Sequence, residues 1–481
     1  MLQLRDPGLF RETCLTAAGW QSAASGDIIT VRNPATGEAM GSVPSFGTEE
    51  VSVAISGAET AFQEWSRRTA RERSAILKQW HALMLANCDD LALLITSEQG
   101  KPLAEARSEV LYAASFVEWF AEEAKRVCGE TFPVIDTATR ITTLRQPVGV
   151  AAAITPWNFP AAMITRKVAP ALAAGCSMIV RPAELTPFTA LALGVLAERA
   201  GVPPGVLQIL TGDGPSMGAV LTSSATVRKL SFTGSTVVGR KLMAQSAGTV
   251  KRVSLELGGN APFIVFSDAH IELAAQACIA AKFRNAGQTC VCANRILVQR
   301  DIAERFGTRL SDLVRALKVG PGTDAASEIG PLISLAAIEK VEAHIRDATA
   351  KGARLVVGGE RLGGQFISPA VLMGVTPAMD IAQEETFGPL APIFVFDTEE
   401  EAISMANDTI YGLAAYFFTN DFRRVHRVSE ALEYGMIGHN TGQISNEIAP
   451  FGGIKQSGIG REGSRQGIEE YLETKYMCSR L

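Results

Sequence analysis

The feature that most constrains this chain is an alternation of short apolar runs with helical stretches, which begins at Val148. The runs have the length of buried strands, as in VGVAAAIT, SMIVRPA and KLSFTGS, and segments of helical periodicity separate them. Because parallel strands need such crossovers, the alternation predicts a doubly wound parallel sheet. The pattern starts again after Glu256 with APFIVFS. We therefore expect a second α/β domain, with a boundary near LELGG.

Two further features are predicted upstream of residue 148. Residues 49–126 carry apolar residues at helical spacing, with a break at Gly100 and Pro102. Residues 139–146 (TRITTLRQ) are rich in β-branched side chains and end before Pro147, which predicts an isolated strand. A lone ribbon needs partners to be stable, so this strand favours contact with a neighbouring subunit.

Length and charge limit the classes of protein to which the chain can belong. The 481 residues predict two or three domains, and the net charge of −5 argues against a nucleic-acid partner. The longest apolar stretches are interrupted by Pro156, or by Pro170 and Gly175, so we expect no membrane span. The N-terminal residues lack the apolar core of a signal peptide, and eight cysteines are typical of thiols in a reducing compartment. Together these observations predict a cytoplasmic protein.

Cys290 is a candidate nucleophile. It lies in FRNAGQTCVCANR, a turn-prone segment before a predicted strand, and a thiolate attacks carbonyl carbons readily. The alternative is a buried structural cysteine, which is common in protein cores. Cys290 and Cys292 also resemble half of a metal-binding set, but none of the five histidines lies close in sequence, so no metal site is predicted.

Three polar residues lie at the end of a predicted strand or shortly after one. Glu256 ends the strand in VSLELGG, where burial would raise its pKa toward that of a general base; the alternative is a surface carboxylate. Asn158 lies between Pro156 and Pro160, where its amide would suit an oxyanion; the alternative is an ordinary turn residue. Ser235 precedes a predicted helix in LSFTGSTVVGR, which suits either a bound pyrophosphate or a simple N-cap.

These segments together closely resemble the aldehyde dehydrogenase family. The sequence contains PWNFP, FTGST, LELGGNAP, GQTC and EETFGP in the order of that family, and the similarity extends from about Asn33 to Tyr476. The resemblance implies that Cys290 is the nucleophile, that Glu256 is the general base and that Asn158 donates to the oxyanion. It implies oxidation of an aldehyde through a thiohemiacetal and a thioester.

The resemblance also implies a nicotinamide cofactor. Ser235 matches a pyrophosphate contact, Glu385 matches the ligand of the nicotinamide ribose, and Phe387 packs near that ring. NAD is favoured because the Glu184 carboxylate would repel a 2′-phosphate, while Arg181, where the family usually has lysine, leaves NADP open. The full set of implied cofactor contacts is Ile154, Thr155, Pro156, Trp157, Arg181, Glu184, Gly214, Gly218, Phe232, Gly234, Ser235, Glu385 and Phe387.

Within the family, the chain looks most like the succinate-semialdehyde dehydrogenase branch. That likeness is carried by PWNFPAAMITRKVAPALAAGC, KFRNAGQTCVCANR, NTGQISNEIAPFGGIKQSGIGREGS and EEYLETKYMC. Arg166, Arg284 and Ser445 match the positions that bind the substrate's terminal carboxylate, for which guanidinium is well suited. The substrate class is therefore a small aldehyde with a terminal carboxylate. Glutarate semialdehyde, one methylene longer, remains the alternative because a pocket distinguishes only weakly between substrates that differ by one methylene.

The resemblance further implies the organisation of the chain. Its fold class is α/β, with two doubly wound parallel-sheet domains and a small β-ribbon for oligomerisation. Residues 1–127 and 147–255 would form the NAD(P)-binding domain and residues 256–445 the catalytic domain. Residues 128–146 and 446–481 would form oligomerisation segments of a homodimer or homotetramer. Cys292, two positions from Cys290, suggests a redox partner that forms an inactivating, readily reduced disulfide; simple packing is the alternative.

Overall fold

The structure is a computed structural model that describes residues 3–480. The first part of the chain has two short antiparallel pairs followed by four helices. These elements are β1 (Cys14–Thr16), β2 (Gly19–Gln21), β3 (Ile28–Arg32), β4 (Ala39–Pro44), α1 (Thr48–Trp65), α2 (Ala70–Ala86), α3 (Cys88–Gln99) and α4 (Leu103–Glu123). The helical prediction for residues 49–126 is confirmed, and left-handed Gly100 (φ 99°) ends α3 at the predicted break.

A strand–helix alternation then builds most of the first sheet. Its elements, after β5 (Thr131–Phe132) and β6 (Thr139–Pro147), are β7 (Val150–Ile154), α5 (Ala162–Ala174), β8 (Ser177–Arg181), α6 (Pro187–Arg199), β9 (Leu207–Ile209), α7 (Gly214–Ser223), β10 (Val227–Thr233), α8 (Thr236–Ser246) and β11 (Arg252–Glu256). Strands β7 and β8 are buried along their whole length, as apolar strands covered on both faces must be.

A second alternation builds another sheet. Its elements are β12 (Ala261–Val265), α9 (Ile271–Phe283), β13 (Ala293–Gln299), α10 (Arg300–Ala316), α11 (Leu335–Ala350), β14 (Arg354–Val357), β15 (Arg361–Gly363), β16 (Phe366–Ile367), β17 (Ala370–Met373), α12 (Asp380–Gln383), β18 (Leu390–Phe396), α13 (Glu399–Asn407), β19 (Ala414–Phe418), α14 (Phe422–Ala431) and β20 (Met436–His439). The chain continues through β21 (Gly458–Ile459), α15 (Ser464–Glu469) and β22 (Leu472–Arg480). Short 3-10 helices are formed by Pro7–Leu9, Ala124–Arg126, Ala247–Thr249, Arg284–Gly287 and Lys455–Ser457.

Both large sheets have parallel cores. The first has the strand order β2-β1-β9-β8-β7-β10-β11-β21, and the five strands from β9 to β11 in that order run parallel to one another. The second has the order β14-β17-β18-β13-β12-β19-β20, with only the edge strand β14 antiparallel among the described residues. The predicted α/β class and its two parallel sheets are therefore confirmed.

The last part of the chain takes part in two sheets. Strand β22 pairs antiparallel with β6 along its whole length, from Leu472 opposite Pro147 to Arg480 opposite Thr139, and β5 pairs with the other edge of β6. Before that, β21 pairs with β11 and so adds a strand to the first sheet. Within the described part of the predicted oligomerisation segment 446–481, only Leu472–Arg480 lies in the ribbon, because residues of β21 and α15 pack on the first sheet and its helices. The predicted strand over 139–146 is confirmed and extends by one residue.

Among residues 3–480, no helix combines the length and the apolar character that crossing a bilayer requires.

Candidate active site

The carboxyl ends of four parallel strands meet at one edge of the first sheet. In register, Ile154 at the end of β7 lies opposite Arg181 of β8 and Phe232 of β10. Thr233 of β10 lies opposite Glu256 at the end of β11. In open α/β sheets this edge is where ligands bind. The strand ends thus bring residues that are distant in sequence into one cleft.

A cavity of about 600 Å³ opens at this edge. Nine of the predicted cofactor contacts line it: Ile154, Thr155, Pro156, Trp157, Arg181, Glu184, Gly214, Phe232 and Gly234. The cavity reaches the N-terminus of α8, where Ser235 accepts a hydrogen bond from the Val238 backbone N–H (3.4 Å). A helix N-terminus favours an anion such as a pyrophosphate. Gly218 does not line the cavity; it is a buried contact of α7 with Leu242 on α8.

Arg181 and Glu184 form an ion pair at the rim of this cavity. The Arg181 Nη2 donates to Glu184 Oε2 (2.7 Å) and to the Gly212 carbonyl (3.0 Å). The hydroxyl of Thr155 and the Nε of Arg181 are buried without a hydrogen-bond partner within the described part of the chain. A cavity of this size, a helix N-terminus and unpartnered polar atoms together fit a dinucleotide.

Glu385 and Phe387 belong to a loop that we call the EETFGP loop (residues 384–389). Glu385 Oε1 accepts a hydrogen bond from the Gly259 N–H (3.2 Å), and burial raises the pKa of this carboxyl to about 7. Phe387 has a left-handed backbone (φ 54°) and packs edge-to-face on Trp157, with 5.6 Å between ring centroids. The loop therefore adjoins the cofactor cavity through Trp157, although neither residue lines it.

The segment that carries Cys290, residues 284–292, follows α9 in a strained turn, and we call it the nucleophile segment. Asn285 and Ala286 both have left-handed backbones (φ 51° and 53°), a conformation that non-glycine residues adopt only when their surroundings hold them there. The turn presents Cys290 at an intermediate exposure, and burial of its thiol raises its pKa to about 12. A Cβ on Gly259 would overlap the Cys290 carbonyl oxygen, so the connection after Glu256 packs directly against the nucleophile segment.

Cys292 is buried beside the nucleophile. Its thiol donates to the Lys282 carbonyl (3.2 Å). A disulfide with Cys290 would require this thiol to leave that contact.

Asn158 reaches the nucleophile segment from the first sheet. Its side-chain amide donates to the Gln288 carbonyl (3.1 Å), two residues before Cys290. Its own carbonyl accepts from Lys101 Nζ (2.8 Å) and from Asn285 Nδ2 (3.0 Å). Asn158 is therefore held by both halves of the molecule, and one amide hydrogen remains for a ligand.

Glu256 is buried at 3% exposure beside this segment. Neither carboxylate oxygen has a hydrogen-bond partner among residues 3–480. Burial, and then the neighbouring Glu462 charge, raise the pKa of Glu256 well above its usual range, and Arg166 and Lys167 offset this only partly. A carboxylate that is unpaired and easily protonated can take a proton from a thiol or a water.

Glu462 is a residue of this site that the sequence analysis missed. Its carboxylate forms ion pairs with Arg166 Nε (2.8 Å) and Lys167 Nζ (2.5 Å), and all three side chains are buried. The Arg166 guanidinium also stacks over the Phe451 ring, 3.9 Å from its centroid. Arg166 Nη2 is buried and unpartnered in the region that the structure describes. No sequence pattern signalled Glu462, which lies almost 300 residues after its partners.

A second cavity, of about 670 Å³, is lined by Arg284 and Ser445. The Arg284 guanidinium lies over the Phe159 ring, 5.3 Å from its centroid. Tyr112 also lines this cavity, and its buried hydroxyl has no partner in residues 3–480. The structure therefore brings Arg284 and Ser445 together in one cavity, whereas Arg166 does not line it. Tyr112 was missed because it falls within an unremarkable helical stretch.

Comparisons with known proteins identify the family of the chain. A family model described as the aldehyde dehydrogenase family matches residues 20–477. The chain is 57% identical over 480 residues to a 3-sulfolactaldehyde dehydrogenase of Pseudomonas putida, with 99% of each protein covered. It is 56% identical over 477 residues to a glutarate-semialdehyde dehydrogenase of Pseudomonas putida (strain KT2440), again with 99% of each covered.

Two further relatives carry the name of the predicted branch. The chain is 57% identical over 479 residues to a succinate-semialdehyde dehydrogenase [NADP(+)] of Escherichia coli (strain K12), with 99% of each covered. The crystal structure of a succinate-semialdehyde dehydrogenase from Burkholderia pseudomallei superposes with a TM-score of 0.99 at 58% identity, covering 100% of both chains. The chain therefore belongs to the aldehyde dehydrogenase family, whose members oxidise aldehydes with NAD(P).

Proposed function

We propose that the protein oxidises succinate semialdehyde to succinate with NAD(P)⁺, through a covalent intermediate on Cys290. The observation that carries this proposal is the convergence of Cys290, Asn158 and Glu256 where the carboxyl edge of the first sheet meets the nucleophile segment. A cavity suited to a dinucleotide opens at that sheet edge, and a second cavity is lined by Arg284, which lies six positions before Cys290 in the chain.

In the first half of the reaction, the Cys290 sulfur bonds to the aldehyde carbon. Because burial raises the pKa of its thiol, Cys290 must lose its proton to a base. The unpaired Glu256 carboxylate accepts this proton. The resulting oxyanion receives hydrogen bonds from the Asn158 amide and the Cys290 backbone N–H; one such donor is worth about 3 kcal/mol. When bound, NAD(P)⁺ supplies the hydride acceptor that no side chain of the chain provides.

In the second half, a thioester on Cys290 is hydrolysed. Glu256 first releases the thiol proton to solvent. It then takes a proton from water as the water oxygen bonds to the acyl carbon and the carbon–sulfur bond breaks. The departing thiolate is reprotonated from Glu256 to regenerate the thiol, and the acid leaves as its carboxylate with release of a second proton. The overall balance is one aldehyde, one water and one NAD(P)⁺ converted to one carboxylate, one NAD(P)H and two protons.

The substrate carboxylate is assigned to the cavity of Arg284 and Ser445. Guanidinium binds a carboxylate through two parallel hydrogen bonds, and Arg284 has no hydrogen-bond or ion-pair partner of its own among residues 3–480. Arg166 does not line this cavity, and the atom that we propose for the carboxylate is its buried, unpartnered Nη2, since Glu462 already holds its Nε. Glutarate semialdehyde is the alternative substrate, because a relative of 56% identity bears that name and one methylene changes binding by only about 1–3 kcal/mol.

We propose NAD as the preferred cofactor and NADP as the alternative. Glu184 lies at the rim of the cofactor cavity with half of its side chain exposed, where its carboxylate repels a 2′-phosphate. Arg181, the cation that would offset this repulsion, is already paired with Glu184. The Escherichia coli relative named for NADP(+) keeps the alternative open.

Initial rates test these proposals. NADH and NADPH formation would be measured with succinic and glutaric semialdehydes and with an uncharged aldehyde, without coenzyme A, for the wild type and Cys290→Ala. We expect the wild type to reduce NAD⁺ fastest with succinic semialdehyde and the variant to be inactive. Faster turnover of glutaric semialdehyde would favour the alternative substrate. Equal rates with the uncharged aldehyde would contradict the assignment of the carboxylate pocket.

A further inference from the structure

Helix α11 (Leu335–Ala350) holds the EETFGP loop through two polar side chains one turn apart. Lys340 Nζ donates to the Glu385 backbone carbonyl (2.6 Å). His344 contacts both neighbours of Glu385: its Nδ1 lies 3.1 Å from Thr386 Oγ1, and its Nε2 lies 3.2 Å from Glu384 Oε2. The spacing i, i+4 places both side chains on one face of the helix.

The opposite side of the loop is held by the active site itself. Glu385 Oε1 accepts from the Gly259 N–H, in the connection that follows Glu256. The Gly388 carbonyl lies so close to Gly287, in the nucleophile segment, that a Cβ there would overlap it. The loop is therefore clamped between α11 and the residues that surround the nucleophile.

We propose that Lys340 and His344 are positioning residues that fix Glu385 and Phe387 against the bound cofactor. This inference rests on the proposed function, in which the EETFGP loop contacts the nicotinamide ribose. Both side chains contact the loop directly, Lys340 at the Glu385 carbonyl and His344 at the two residues that flank Glu385.

Backbone geometry explains why the loop needs such a clamp. Phe387 is held in a left-handed conformation that costs energy for a residue with a side chain, so contacts on either side must maintain it. Lys340 is partly exposed; it donates to the Glu385 carbonyl and also lies 3.9 Å from Glu384 Oε2. His344 is buried at 4% exposure, and burial lowers its pKa, so its ring is neutral and donates from one nitrogen while it accepts at the other.

The test compares Lys340→Met and His344→Leu with Arg346→Met, a matched control that removes an exposed cation from the same helix. Cofactor affinity is measured by calorimetry with NAD⁺ and NADP⁺ alone, and steady-state KM is measured for cofactor and aldehyde separately. Hydrolysis of 4-nitrophenyl acetate without cofactor reports on the Cys290 nucleophile.

We expect both loop variants to raise the Kd and KM for the cofactor by about 3- to 10-fold, the effect of losing one or two hydrogen bonds. Ester hydrolysis and the KM for aldehyde should stay at the wild-type values, and Arg346→Met should match the wild type throughout. A cofactor Kd unchanged in Lys340→Met, whose exposed side chain can be removed without unfolding, would overturn the proposal. A loss of ester hydrolysis equal to the loss of cofactor affinity would also overturn it, because it would show that the substitution damages the whole active site. If the wild type itself bound neither cofactor, the proposed function would fail instead.

Discussion

Glu256 combines burial with a lack of partners that a merely structural carboxylate would not have. Each unsatisfied buried polar group costs about 1–3 kcal/mol, and a buried charge costs more. The fold therefore retains an unfavourable group at the point where the reaction needs a base, a trade between stability and function that is common in active sites.

Replacement of Glu256 by glutamine should therefore stabilise the protein while it stops turnover. The raised pKa means that the folded state binds a proton more tightly than the unfolded state, so the free energy of unfolding falls as the pH rises through the raised pKa. We expect Glu256→Gln to be more stable than the wild type by about 1–3 kcal/mol at pH 8, and by less at pH 5. Denaturant unfolding at both pH values measures this, and a less stable variant would contradict it.

The same variant gives a kinetic prediction. Because Glu256 is assigned the proton of the Cys290 thiol and then that of water, acylation and thioester hydrolysis should both slow in Glu256→Gln. We expect a loss of steady-state rate of at least about 100-fold, the usual contribution of a general base. Wild-type kcat should rise with pH as the Glu256 carboxyl loses its proton. A variant with wild-type turnover would assign the base to another group.

Tyr112 is expected to contribute to substrate specificity. Its buried, unpartnered hydroxyl lines the cavity of Arg284 and Ser445, so Tyr112→Phe removes one potential donor to the substrate carboxylate. We expect the KM for succinic semialdehyde to rise by about 3- to 10-fold, with no change for an uncharged aldehyde. Tyr434→Phe, which removes a buried hydroxyl far from the cavity, is the control. Equal effects on both aldehydes would refute the assignment.

At the scale of elements, the connection between α3 and α4 supports the oxyanion donor. Lys101 is fully buried; its ammonium donates to Glu109 Oε2 (2.6 Å) and to the Asn158 carbonyl. Glu109 in turn accepts from the Ala161 and Ala162 N–H groups at the start of α5. One buried ion pair therefore fixes both the backbone of Asn158 and the start of α5.

Breaking this pair should destabilise the protein strongly. We expect Lys101→Met to lose about 3–5 kcal/mol, because Glu109 is left as a buried charge without its cation. A double variant, Lys101→Met with Glu109→Gln, should recover part of that loss, and unfolding in urea compares them. A single variant as stable as the wild type would contradict the structural role assigned to this ion pair.

Sequence periodicity was sufficient for the elements that are long and regular. The strand–helix alternation after Val148 and the helices before Val127 follow directly from the spacing of apolar residues. Strand β21 has only two residues, which is too short to show any period, and its pairing with β11 depends on the tertiary fold. The left-handed residues Asn285 and Phe387 were equally invisible, because neither residue type requires that backbone.

Site residues that lie in short motifs could be predicted from the sequence. Site residues that matter through ion pairs with distant residues could not. Cys290, Glu256 and Asn158 each lie in a short motif that resembles the family, and the structure brings them together. Glu462 and Lys101 carry no local signal, since their importance comes from buried ion pairs with residues distant in sequence. Gly218, which was expected to contact the cofactor, packs α7 against Leu242 of α8 and is not among the residues that line the cavity.

At the scale of the whole molecule, the ribbon of β5, β6 and β22 has an apolar surface. Ile135 is 93% exposed and Tyr476 is 61% exposed, and Phe132, Leu144 and Met477 are exposed nearby. Apolar groups gathered on one protruding element are typical of an interface between subunits. We therefore propose that the ribbon joins copies of the chain in a homodimer or homotetramer.

Charges on this surface should weaken that association. We expect the double variant Ile135→Lys, Tyr476→Lys to shift the protein toward the monomer at micromolar concentration, as measured by light scattering after size exclusion. Phe422→Lys is the control, since it charges an equally exposed apolar residue on α14, away from the ribbon. A wild type that is already monomeric would contradict the proposed assembly.

The route of the chain also imposes an order on its synthesis. Strand β11 leaves the ribosome before any strand of the second sheet, but its neighbour β21 follows only after all of them. Glu462, the counter-ion of Arg166 and Lys167, emerges just as late. The nascent first half can collapse early, as N-terminal segments do, but Arg166 and Lys167 lack their carboxylate counter-ion until translation has passed residue 462. A message truncated before that codon would therefore yield a chain with two uncompensated buried cations, which chaperones and proteases recognise as incomplete.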